Sequence, residues 1–227
     1  MNTYIELSYI LSKNIPNYPD SISERFEPIL SQKKGDVSNT AVVHHYTHNG
    51  THIDAPYHFD NKGMKIHEIP LGSFIYERPL FLNVFKKPEE RITLREIQNM
   101  PGIEVADLLI FRTGFGKLRE KDPIAYRFLF PGFEEKLARF IREELSNVKA
   151  VMIDFLSVDS LIEGNRKGFP IHKLLLSKEA SQRRPVLIIE DAFLEPLVNR
   201  KIKRVFAIPI RFQGADGAPV SIIAEVE

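Results

Sequence analysis

The run His48-Asn49-Gly50-Thr51-His52-Ile53-Asp54-Ala55-Pro56-Tyr57-His58-Phe59 constrains this chain more than any other stretch. It gathers three of the seven histidines, a carboxylate and an Asn-Gly pair. The chain has no cysteine, so a transition-metal site must use imidazole and carboxylate, donors that suit zinc, manganese or iron. Two imidazoles on one ion each lie about 2.0–2.2 Å from it and must be neighbours. Residues four apart on an extended strand are about 13 Å apart. His48 and His52 can therefore share an ion only where the backbone folds between them. A helix there is opposed by Asn49-Gly50 and cut off by Pro56. A tight turn at Asn49-Gly50, where both residues tolerate positive φ, is the better solution. His52 and Asp54 are two apart, so a short extended segment points both to one side. Pro56 stiffens the chain ahead of His58, which can sit close by without being a ligand. The alternative is a histidine-rich polar loop with Asp54 as a turn cap. The glycine bend, the His/Asp pair and the proline together favour a metal site.

This run resembles the signature His-x-Gly-Thr-His-x-Asp-x-Pro-x-His-Phe of the cyclase-like metal-dependent hydrolases, which include the bacterial kynurenine formamidases. Every defined position of that pattern is met. Further similarity lies in His172-Lys173-Leu174-Leu175, Ile188-Ile189-Glu190, Pro131 to Glu134 and Gly214 to Val220, so it covers most of the chain. The resemblance implies an α/β fold of the swivelling β/β/α type, with a barrel-like mixed sheet and packed helices. It also implies two divalent ions per subunit, zinc first and manganese second. His48, His52 and Asp54 would hold one ion and Asp54, His172 and Glu190 the other, with Asp54 bridging. His58 would carry a proton, and Tyr18, in the loop Asn14 to Asp20, would line the substrate pocket. Members are usually homodimers or larger, so a homodimer or homotetramer is expected. Two features depart from the pattern. His172 and Glu190 are 18 positions apart, more than is usual, through an insertion around Ser177 to Arg184 that leaves Asp191 as a competing acid. Ser221 stands where many relatives have arginine.

A chain of 227 residues can bury one substantial core, which predicts a single domain over residues 1–227. Its 43% hydrophobic and 27% charged content reads as soluble and globular. A formal net charge of +1 leaves no basic footprint for nucleic acid. No apolar run is long enough to span a bilayer and the N-terminal residues carry no signal-type pattern, so no membrane partner is expected. These features and the missing cysteines predict a cytoplasmic protein.

Strands are expected over Tyr4 to Ser8, Ser23 to Leu30, Ser38 to Thr47, Pro79 to Phe85, Asp107 to Arg112, Lys149 to Asp154, Pro185 to Glu190, Arg204 to Ile210 and Pro219 to Val226. Thr93 to Glu96 reads as a capping box opening a short helix. Leu137, Phe140, Ile141 and Leu145 mark the apolar stripe of a helix from Phe133 to Ser146. A second helix is expected over Lys173 to Ala180, after a loop from Glu163 to Gly168. His44 and His45 read as strand-face histidines and His67 as an exposed polar residue. Arg112 either neutralises an acidic substrate group or pairs with a nearby carboxylate. Asp154 and Asp159 either orient a ligating histidine or cap turns.

The resemblance implies a metal-dependent amidohydrolase with a small-molecule substrate. An aryl formamide such as N-formylkynurenine, from tryptophan catabolism, is the first expectation. A cyclic amide, imide or lactone is the alternative, and a metal-containing binding protein without turnover is the rival from another class. With no tryptophan in the chain, Phe and Tyr would have to stack an aryl substrate.

Overall fold

A computed structural model describes residues 3–227. The strands in chain order are β1 (Thr3–Glu6), β2 (Arg25–Leu30), β3 (Thr40–His44), β4 (His52–Asp54), β5 (Ile75–Tyr76), β6 (Pro79–Asn83) and β7 (Arg91–Ile92). They continue with β8 (Leu108–Arg112), β9 (Gly132–Phe133), β10 (Ala150–Ile153), β11 (Leu187–Glu190), β12 (Ile202–Pro209) and β13 (Gly217–Val226). The helices are α1 (Leu94–Ile97), α2 (Leu118–Lys121), α3 (Pro123–Phe128), α4 (Glu135–Glu143), α5 (Leu161–Lys167) and α6 (Pro170–Leu176).

One mixed sheet dominates, in the order β5-β12-β13-β4-β11-β10-β8-β6, with β1 added beside β13. β6, β8, β10 and β11 run parallel to one another, whereas β4, β13, β12, β5 and β1 pair antiparallel. The sheet curls until β12 lies against β6, giving the nearly closed, barrel-like α/β arrangement expected. Alternation along the parallel strands explains the two core layers. Leu109, Phe111, Val151, Ile153 and Ile188 face the helices, where α4 and α6 supply Leu137, Ile141 and Leu175. Leu108, Ile110, Met152, Leu187 and Ile189 face the barrel interior with Ile53, Val205, Ala207 and Ile222. Among the described residues no helix is long and apolar enough to cross a membrane.

Several boundaries differ from the expected ones for local reasons. α4 is shorter than the stripe, although Leu137, Ile141 and Leu145 are buried as that stripe requires. α6 starts at Pro170, where a first-turn proline loses no hydrogen bond, and ends before Ser177. The expected loop over 163–168 is helix α5, ended by Gly168 at φ +69 and tied to β7 through an Arg91–Glu163 ion pair. β2 and β3 form a hairpin apart from the main sheet, with every residue exposed, and β3 ends at His44 rather than running on to Thr47.

Candidate metal centre

β4 lies between β11 and β13, and its register assembles the centre. Ile53 turns into the barrel, so His52 and Asp54 turn to the helix-facing side. Glu190, at the end of β11, pairs with His52, and Gly217, at the start of β13, pairs with Asp54. The turn before β4 depends on Gly50, at φ +63, where a Cβ would also collide with the Leu11 side chain. Gly217 serves a different need, since a Cβ there would come 2.8 Å from His48 Cε1. The turn thus folds His48 back over β4.

Four groups converge in the deepest part. Asp54, His52, His172 and Glu190 are 0%, 3%, 4% and 4% exposed, respectively. His52 Nδ1 lies 2.8 Å from the Gly50 carbonyl and can only donate to it, so its Nε2 is the free nitrogen. His172 Nδ1 lies 2.7 Å from Asp159 Oδ2, which likewise directs Nε2 inward. His52 Nε2 stands 3.4 Å from Asp54 Oδ1 and 3.5 Å from Glu190 Oε2. His172 Nε2 stands 3.5 Å from Asp54 Oδ2 and 3.4 Å from Glu190 Oε1. Donors about 2.1 Å from a shared tetrahedral ion are themselves about 3.4 Å apart. Asp54 Oδ2 is buried without a hydrogen-bond partner. Imidazole lone pairs facing carboxylate oxygens repel unless a cation or proton lies between them. The donor set and the orphaned oxygen therefore fit a divalent ion.

The electrostatics agree. Burial opposes the charged form of His172, but the hydrogen bond to Asp159 and the nearby carboxylates of Asp54 and Glu190 raise it well above its usual value. Burial would also raise Asp54, yet the His172 imidazole beside it and the hydrogen bond with His48 hold its carboxyl well below the ordinary range. Without an ion, protons take the cation's place.

A second cluster lies nearer the surface. His48 uses both nitrogens: Nδ1 is 2.8 Å from Asp54 Oδ1 and Nε2 is 2.8 Å from Asp216 Oδ2. Burial disfavours its charge, but these two carboxylates raise it to about 10. His58 Nδ1 donates to the same Asp216 Oδ2 at 2.9 Å, and its ring stacks on His48 at a centroid distance of 3.9 Å. Burial outweighs the Asp216 hydrogen bond and lowers His58, which leaves it neutral near pH 7 with Nε2 able to accept a proton.

The structure thus brings together His48, His52, Asp54, His58, His172 and Glu190, all lining one cavity of about 260 Å³. Tyr18 lines it too, beside Tyr46, Phe59, Phe169 and Leu156. Asp191 is not in the cavity; it points away to Arg119 and Tyr126. Asp159 is at once a cap and an orienting group, accepting from the backbone N–H of Ile171 and His172 as well as from the His172 ring. Asp154 only caps the turn at Thr113 and Gly114. Arg112 is paired with Glu195 outside the cavity, and Ser221 lines a separate cleft. His44 is exposed beside Arg25 and Glu27, whereas His45 is tucked against buried Glu24 at 2.7 Å. His67 is half-buried and accepts the Gly214 N–H.

The residue that the sequence reading missed is Asp216. It lies 168 positions from His48, in a Gly-Ala-Asp-Gly-Ala segment that reads locally as a plain turn. The resemblance over Gly214 to Val220 was the signal available for it.

A family model described as "Putative cyclase" matches residues 5–160. The kynurenine formamidase of Geobacillus thermodenitrificans (strain NG80-2) is 29% identical over 220 residues, covering 97% of this chain and 96% of that protein. Isatin hydrolase A from Labrenzia aggregata, solved with benzyl benzoate bound, superposes with a TM-score of 0.81 at 20% identity, covering 99% of this chain and 94% of that one. A chain described as a "predicted metal-dependent hydrolase from Bacillus stearothermophilus" superposes with a TM-score of 0.75 at 24% identity, covering 99% and 98%. These two structures share the fold.

Proposed function

The chain belongs to the cyclase family, and from that membership we propose that it is a metal-dependent amidohydrolase whose first substrate class is aryl formamides such as N-formylkynurenine. The observation that carries this reading is the convergence of His52 Nε2, His172 Nε2, Asp54 and Glu190 beneath an aromatic-walled cavity. Similarity to kynurenine formamidases over nearly the whole chain supports the same class.

We assign His48, His52 and Asp54 to one ion and Asp54, His172 and Glu190 to a second, with zinc the first candidate and manganese the other. His48 would join the set through Nδ1, the nitrogen that faces Asp54. A divalent ion held by these residues would supply carbonyl polarisation and a water acidified toward neutral pH. The protein's own part is proton handling and placement. His58 Nε2 takes a proton from the attacking water and returns it to the departing nitrogen as the carbon–nitrogen bond breaks. Asp216 holds the His58 ring through Nδ1. Phe59 and Phe169, with ring centroids 5.7 Å apart, and Tyr18 provide aromatic faces for a flat substrate.

One observation favours a second reading. Among the described residues the cavity wall contains no lysine or arginine. An uncharged cyclic amide, imide or lactone needs no counter-ion there, whereas a free amino-acid carboxylate finds no lysine or arginine in that wall to pair with. We also propose a cytoplasmic homodimer or homotetramer. Cysteine-free composition supports the compartment, and the exposed Phe26, Ile29, Val42 and Val43 of the hairpin support assembly.

The test is hydrolysis by purified protein loaded with zinc or manganese. N-formylkynurenine, a neutral formanilide, a cyclic imide and a lactone are compared. Faster turnover of the neutral substrates selects the second reading. No hydrolysis of any of them by the metal-loaded protein overturns both.

A further inference from the structure

Glu190 is the last residue of β11, and the residue that follows it is a second buried acid, Asp191. The register of β11 beside β4 faces Glu190 to the centre, and what holds Asp191 holds the end of that strand. Asp191 is fully buried at φ +51, a left-handed conformation that aspartate tolerates but does not favour. Its carboxylate accepts a two-pronged contact from Arg119, at 2.9 Å from Nε and 2.9 Å from Nη2, and a 2.6 Å hydrogen bond from the Tyr126 hydroxyl. Arg119 comes from α2 and Tyr126 from α3, so both helices are fastened to the end of β11. The guanidinium also stacks over Tyr9 at 3.8 Å.

The same residue reaches the metal turn. The Asp191 carbonyl accepts from Thr51 Oγ1 at 2.6 Å, and Thr51 directly precedes His52. Thr51 Oγ1 in turn accepts the Tyr9 N–H at 2.9 Å. The Asp191 N–H is bonded to the Phe155 carbonyl at 3.0 Å, which completes the fixing of its backbone.

We propose that Arg119, Tyr126 and Asp191 are positioning residues for the metal centre: their buried knot holds the left-handed kink just beyond Glu190, anchoring the end of β11 that carries it, and, through Thr51, fixes His52 against it. None of the three lines the cavity. The inference rests on the reading of the site as a metal centre.

The test is cobalt(II) titration of the chelator-stripped full chain, read by visible absorption and by competition with a chelator. Arg119→Lys keeps the charge but loses the two-pronged contact, and Tyr126→Phe removes one hydroxyl. Both should weaken cobalt binding by about 10–100-fold, as loss of outer support for ligands does, and should change the absorption bands. Arg112→Lys is the control, because it loosens another buried arginine pair, with Glu195, that touches neither Glu190 nor Thr51. Wild-type affinity and spectrum in both variants would overturn the inference, as would the same change in Arg112→Lys. Tyr126→Phe decides alone where Arg119→Lys does not fold. Failure of the wild-type protein to bind cobalt would overturn the metal-centre reading itself, and the inference with it.

Discussion

Two clusters of the same residue types sit side by side in this cavity and are prepared for different work. In the deep cluster, His52 and His172 each have Nδ1 occupied by an acceptor outside the site and turn Nε2 toward Asp54 and Glu190. In the outer cluster, His48 and His58 share Asp216, whose side chain is 33% exposed. The deep donors are almost fully buried and face one another. The outer ones are already matched by hydrogen bonds. An imidazole's task is thus set by what its far nitrogen touches and by how much water reaches it. His48 belongs to both clusters, with Nδ1 on Asp54 and Nε2 on Asp216.

The strongest way to break this division is to remove Asp54. Its two oxygens face His52 on one side and His172 on the other, so Asp54→Ala should strip metal from the whole centre and abolish hydrolysis. Elemental analysis finding full metal in the folded variant would eliminate the bridging assignment. On the proposed two-ion assignment, Glu190→Gln should act less completely, by weakening the ion placed with His172. Metal content is again the measurement, and loss of all metal would mean that the centre cannot be divided into two sites.

Removing His58 should separate holding from proton transfer. His58→Ala should keep its metal, because His58 lies outside the deep set, while turnover falls by about 10²–10⁴-fold, the usual worth of general acid–base help. KM should change far less, since the lost interaction belongs mainly to the transition state. Loss of metal in this variant would make His58 a ligand. Asp216→Asn is the milder form of the same test. It leaves the His58 ring in place but weakens its orientation, so kcat should fall by about 10–100-fold with metal retained.

Each cluster was legible in sequence only in part, and the reason is distance along the chain. His48, His52, Asp54 and His58 are neighbours whose spacing specifies a turn and a short strand. His172 and Glu190 required the resemblance, because a helix-start histidine and a strand-end acid are ordinary features alone. Asp216 and the Arg119–Asp191 pair depend on tertiary register, which no local pattern carries. Helix α5 escaped notice because Gly164 and Asn165 weaken its local propensity, while the Arg91–Glu163 contact that ties it down is long-range. The Glu190/Asp191 ambiguity is likewise resolved in space, by a guanidinium from another element.

The smallest effect, and the sharpest for the two-cluster comparison, is on stability against pH in the metal-free protein. His48 is raised in the fold to about 10, from an unfolded value near 6.5, by Asp216 and Asp54 acting against burial. A base whose folded pKa is raised contributes stability that is fully present below the unfolded pKa and is lost as pH rises through the folded one. The metal-free protein should therefore lose stability between about pH 6.5 and 10. His172 is raised in the same direction and adds to the slope. Each differing proton contributes at most about 1.4 kcal/mol per pH unit. Asp54 is lowered and works at the other end: its contribution is present above its unfolded value near 3.8 and is lost as pH falls through the folded one. Binding a divalent ion replaces protons on the deep imidazoles, so the loaded protein should release protons on binding and flatten the alkaline slope. His48→Gln should remove part of the slope from the metal-free protein, whereas His58→Ala should not reduce it, because His58 is lowered rather than raised. Urea midpoints of the chelator-stripped protein across this range are the measurement. A midpoint that stays level from pH 6.5 to 10 would mean that the deep imidazoles hold no extra protons, and the division between a cation-demanding cluster and a self-satisfied one would fall.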